Sequence, residues 1–168
     1  TVVVGIFPTA FFVMLNRNRF LASHLQEAME MNQYLQKAGS IPNCNRMENG
    51  KEYIVFSGGT KESFELIASD LLYVEAEGNY VKIVYRKNEK CTQKMLRATM
   101  KQVEEVSRPF SYIVKSHRAF LVNLCAVSKV SGNSQGYRLF LYDCEDSIPV
   151  SRAYSKEVKM LIEKMNNR

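Results

Sequence analysis

Apolar and polar residues alternate in short runs over most of this chain. In YVKIVYR (80–86), Val81, Ile83 and Tyr85 fall on one face, the period of a half-buried strand. The runs YIVFSG (53–58), SFELIA (63–68), LLYVEAE (71–77) and CTQKML (91–96) predict further strands. So do FSYIV (110–114), AFLVNL (119–124), AVSKV (126–130), YRLFLY (137–142) and SIPVS (147–151). Helical spacing occurs in two places in this region. Met100, Val103 and Val106 recur every three residues behind Thr99, a suitable cap. Val158, Leu161, Ile162 and Met165 share one face of a helix over Tyr154–Met165. Strands and helices do not alternate as a parallel α/β fold requires. The expected class is mainly β with short α.

Upstream, RFLASHLQEAMEMNQYLQKAGS predicts an amphipathic helix. Leu21, Leu25, Ala28, Asn32 and Leu35 follow heptad spacing for about two repeats. Two uses fit: a homodimer seam through residues 20–37, with Asn32 setting register, or packing on the chain's own domain. Gly39 and Ser40 end the helix, and IPNCNRMENG (41–50) is a polar linker. Before the helix, residues 2–15 carry no charge, and Arg17 and Arg19 follow. Fourteen residues span about 21 Å as a helix, against a hydrocarbon core of about 30 Å. The following arginines fit the cytoplasmic end of a membrane helix. The expected division is therefore the end of a transmembrane helix (1–19), a connecting helix (20–38), a linker (39–50) and a β-rich domain (51–168). Residues 45–168 should fold alone, in the cytoplasm, with residues 1–15 contacting the inner (cell) membrane.

Charge changes this picture. Residues 1–70 hold 6 Lys and Arg against 7 Asp and Glu, whereas residues 71–168 hold 17 against 10, a net charge of +7. That field favours an anionic polymer. The four cysteines (44, 91, 125 and 144) include no CxxC pair, and His24 and His117 stand far apart. No metal site is expected, and the thiols read as reduced.

The candidate chemistry lies in two basic clusters at strand ends. One is IVKSHRAFLVN, with Lys115, His117 and Arg118; the other is IPVSRAYSK, with Arg152 and Lys156. Taken singly, each cation is as well explained as a solvated loop charge. Catalysis is not expected. His117 is the one candidate base of the β-rich domain, and adjacent Ser116 on a strand points to the opposite face. Gly58-Gly59-Thr60 lacks the spacing and lysine of a phosphate loop. No cofactor is implied.

Four pieces occur in order: LLYVEAEGNYVKIV, LRATMKQVEE, FSYIVKSHRAFLVNL and SIPVSRAY. Together they make residues 51–165 resemble the LytTR family of bacterial DNA-binding domains. The resemblance implies an elongated stack of small antiparallel sheets with one short internal helix and a C-terminal helix. It implies a regulator that binds double-stranded DNA, at direct repeats or two half-sites, through strand-end loops in successive major grooves. Carried over, the contacts would come from Tyr80 or its neighbour Asn79 in GNYVK, from Arg118 in KSHRAF, and from Arg152 in PVSRAY. His117 would be a backbone or structural contact, and Lys82, Lys115 and Lys156 would serve phosphates. Arg118 and Arg152 would read bases about one helical turn apart. The apolar N-terminus is similar to members in which this module follows membrane helices. A sequence-blind RNA or anionic-membrane adaptor is the alternative.

Overall fold

The structure is a computed structural model that describes residues 22–36, 52–59, 62–133, 136–142 and 144–166. Its elements follow the alternating pattern closely. Helix α1 covers 22–36. Strands β1 (Tyr53–Ser57) and β2 (Ser63–Ile67) form a hairpin sheet. β3 (Leu71–Glu77), β4 (Tyr80–Lys87), β5 (Lys90–Leu96), β6 (Ile113–His117) and β7 (Phe120–Asn123) form a five-stranded sheet in the order β5-β4-β3-β7-β6. β8 (Val127–Asn133), β9 (Gly136–Leu141) and β10 (Cys144–Val150) make a third sheet, and every pairing is antiparallel. Helix α2 is Met100–Ser107 and α3 is Arg152–Asn166. Thr99 and Gln102 close a reciprocal capping box at the start of α2. The mainly β class and its helices are those the sequence implies.

Strand alternation gives the large sheet two apolar faces. Val74, Val81, Ile83 and Leu121 meet β1, β2 and Val103 of α2. Tyr73, Val84 and Val122 meet the third sheet and α3. β10 crosses that second face from one edge to the other. Its first residue, Cys144, touches Cys91 on β5. Asp146 accepts a hydrogen bond from Tyr73 on β3 (2.7 Å). Just past its end, Ser151 donates its amide to the Ser116 carbonyl on β6 (2.9 Å). Burial, reinforced by Asp146, pushes the Tyr73 phenol far above its ordinary pKa. Asn123 accepts the Cys125 amide and donates to the Leu71 carbonyl.

Helix α1 packs on this same core. Ala28 and Met31 are buried among residues of the third sheet and α3, with Met31 1% exposed. Asn32 donates to the Val130 carbonyl and accepts the Val130 amide, each at 2.7 Å, so its amide acts as a short strand beside the open edge of β8. Gly132 admits the helix: a Cβ there would stand 2.3 Å from the His24 carbonyl oxygen. Glu27 pairs with Tyr137, and Glu30 with Lys159. Of the heptad positions, Ala28, Asn32 and Leu35 thus face the chain's own domain. Leu25 remains 42% exposed, and Leu21 lies outside the described residues.

One expectation changes here. Cys125 is engaged in a disulfide, so the thiols are not all reduced. The proposed membrane segment, residues 1–19, lies outside the described residues. Among the described residues no helix is long and apolar enough to cross a membrane.

Candidate nucleic-acid interface

Strand direction brings three sequence-distant turns to one end of the large sheet. β3 ends at Glu77 opposite Tyr80, so Gly78 and Asn79 form a two-residue turn. Gly78 has φ +61°, and a Cβ there would meet nothing within 4 Å; backbone conformation, not space, calls for glycine. Asn79 and Tyr80 are exposed, Tyr80 at 47%. β7 is antiparallel to β3, and its first residue, Phe120, stands opposite Glu75. The Arg118–Ala119 turn before it therefore lies beside the Gly78–Asn79 turn, and the Ala76 amide donates to the Ala119 carbonyl (2.8 Å). On its other side, the Ser151–Ser116 bond sets the start of α3 against β6. The Arg118 turn is the middle of the three.

Local chemistry shapes each turn. His117 accepts the Ala119 amide through Nδ1 (3.3 Å) and sets its ring at a tilt against Phe120, which holds the turn that presents exposed Arg118. His117 therefore positions the loop. Arg152 and Lys156 are exposed on the first turns of α3, and no acid occupies its first turn. Cations at the positive end of a helix violate the usual dipole preference, which concentrates positive potential there.

The lysines divide. Lys82 lies between Glu75 and Glu77 (3.4 Å to the latter), 5.8 Å from the Tyr73 ring. Burial pulls its pKa down, but the two carboxylates outweigh that and leave it above the ordinary lysine value. Lys115 is tied to Glu104 of α2, whose hydrogen bond holds its ammonium above the ordinary value against partial desolvation. Both bind carboxylates within the fold, whereas Lys156 is exposed. Accordingly, Lys156→Ala should flatten the fall of log DNA affinity with log salt by about 0.9, the share of one neutralised phosphate. Lys82→Ala should leave that slope unchanged and lower stability. Fluorescence anisotropy titrations over a salt series read the slope, and equal slopes for the two variants would overturn the division.

One further cation belongs here that strand-end reasoning passed over. Arg97 follows β5, whose last residue, Leu96, stands opposite Val81. It is exposed and lines a groove of about 410 Å³ with Asn79, Tyr80 and Thr99. Its carbonyl accepts the Gly59 amide (2.9 Å), which fixes the backbone. Its place in LRATMKQVEE, one of the four pieces that carry the family resemblance, was the available signal.

Arg118 and Arg152 each lie within two residues of the Ser151–Ser116 bond. At 3.8 Å per residue, their backbones are at most about 17 Å apart. A full turn of B-DNA, about 34 Å, is about twice that backbone separation. Sequence order hid that closeness, because one bond joins positions 35 residues apart.

Among the described residues no group of three or more acidic, histidine or cysteine side chains fits a metal ion. The chain matches the model of the LytTr DNA-binding domain over residues 61–163. No curated protein matches it. It is similar in structure to the LytTr DNA-binding domain of a methyl-accepting/DNA response regulator from Bacillus cereus. The TM-score is 0.52 at 18% identity, with 67% of this chain and 98% of that chain covered. The family match spans well over half of the chain, and the protein belongs to the LytTR family of DNA-binding domains.

Proposed function

We propose that this chain binds specific double-stranded DNA sites as a transcription regulator, reading them with the three turns at one end of the large sheet. The observation that carries this is the pair of backbone bonds, Ala76–Ala119 and Ser151–Ser116, which gather Asn79, Tyr80, Arg118 and Arg152 from three parts of the sequence. The order of the turns supports one groove assignment. Asn79–Tyr80 and Arg152, the outer two, enter successive major grooves on one face of the duplex. Arg118, between them, meets the minor groove that lies there, where a guanidinium favours the narrow groove of A·T-rich steps. Arg152 offers the planar fork that pairs with guanine O6 and N7. No enzymatic step is assigned to the site, since Ser116 and His117 serve the fold and the turn.

Selection of bound duplexes from a random library tests this. The expected result is an enriched site with two conserved segments about one turn apart and an A·T-rich centre. Binding that ignores sequence, with mutated duplexes competing equally, would overturn it in favour of a general anion-binding adaptor.

Membrane anchoring of the cytoplasmic domain through residues 1–15 is retained as part of the proposal, on the uncharged run and its following arginines. Pairing of two copies through residues 20–37 would have to use the exposed Leu25 and Met29 (63%), because Ala28 and Met31 are buried in their own domain.

A further inference from the structure

Cys91 and Cys144 are 53 residues apart in sequence, yet their Sγ atoms lie 2.9 Å apart. Both are reduced thiols, Cys91 exposed and Cys144 half-buried. Cys91 is on β5, the outermost strand of the large sheet, and Cys144 opens β10, the outermost strand of the third. The contact therefore joins two sheets, at the end of β5 away from Arg97. A disulfide needs sulfurs about 2.05 Å apart, so closure asks for less than about 1 Å of approach. Two surrounding groups organise the pair. Asp146 lies 3.6 Å from the Cys144 sulfur, and its same oxygen is held by Tyr73. Arg86 stands opposite Cys91 in the β4–β5 register, on the same face of the sheet.

We propose that Cys91 and Cys144 are a reversible disulfide site, oxidised by a hydroperoxide, that fastens β10 to the large sheet. The thiolate of Cys91 attacks a peroxide oxygen and the O–O bond breaks. This forms a sulfenic acid and releases one water once the departing hydroxide is protonated. Cys144 then attacks the Cys91 sulfur, the S–O bond breaks, the Cys144 proton leaves with the hydroxide, and a second water departs. Overall, two thiols and one hydrogen peroxide give one disulfide and two waters. A dithiol reverses the bond by exchange. The fastening matters because β10 runs from this point across the sheet to Ser151, where α3 begins.

The test treats the full chain with stoichiometric hydrogen peroxide, alkylates the remaining thiols and digests with trypsin without reduction. The expected product joins CTQK (91–94) to LFLYDCEDSIPVSR (139–152) at two hydrogens below the summed peptide masses, and dithiothreitol separates it. Oxidation should raise Tm by on the order of 10 °C. Cys91→Ser and Cys144→Ser should each abolish both changes. Pairing of either cysteine with Cys44 or Cys125, a bond between two chains, over-oxidation without pairing, or an unchanged Tm would overturn the proposal.

Discussion

Truncating Met31 to alanine should lower the stability of the whole protein by about 2–5 kcal/mol, the usual cost of emptying a fully buried large apolar site. The side chain is 1% exposed and packs among residues of the third sheet and α3. Asn32→Ala should cost about 1–3 kcal/mol by a separate route. It strips both hydrogen bonds from Val130 and leaves the edge of β8 without its cover. Neither residue adjoins the three candidate turns, so DNA affinity measured well below Tm should change little. Urea unfolding followed by circular dichroism reads the effect. Losses under about 0.5 kcal/mol for both variants, the size of an ordinary surface substitution, would mean that α1 does not hold to the sheet in solution. A fragment of residues 45–168 lacks these contacts altogether. It is expected to be less stable than either variant, whatever residues 1–15 do, so its failure to fold would say nothing about the apolar run.

Arg152→Ala should weaken binding to the selected site by about 1–3 kcal/mol, through loss of one bidentate arginine–guanine pair. On unrelated duplexes the loss should be much smaller, because only its charge acts there. Arg152→Lys separates the two contributions: it restores charge and leaves the planar fork missing, so the cognate penalty should largely persist. The quantity to compare is the ratio of cognate to random-duplex affinity. Should Arg152→Ala lower both affinities equally, the residue is a phosphate clamp. Arg118→Ala has a different signature. Its penalty should shrink when the A·T pairs at the centre of the site are replaced by G·C, since the narrow groove it fits is then already absent.

Much of this protein is legible in one dimension. Short β-branched and aromatic runs between turn residues located the ten described strands to within a few residues, and β1 and β9 alternate because one face of each is solvated. Thr99 marked the start of α2, since a helix cap is satisfied by residues next to it in sequence. GNYVK, KSHRAF and PVSRAY marked the three turns, for their residues are contiguous. What remained hidden depends on contacts between distant segments. Lys82 and Arg118 look alike as cations beside strands. Pairing places Lys82 between Glu75 and Glu77 and leaves Arg118 exposed in a turn. Heptad spacing in α1 fits an external partner as well as an internal one, because an apolar stripe carries no address. Gly132 and the open edge of β8 decide for the internal one. The closeness of Arg118 to Arg152 and of Cys91 to Cys144 depends on β10 crossing the large sheet. Periodicity carries the facing of each strand but not the angle at which two sheets meet, and that angle is set by the packing of all their side chains together.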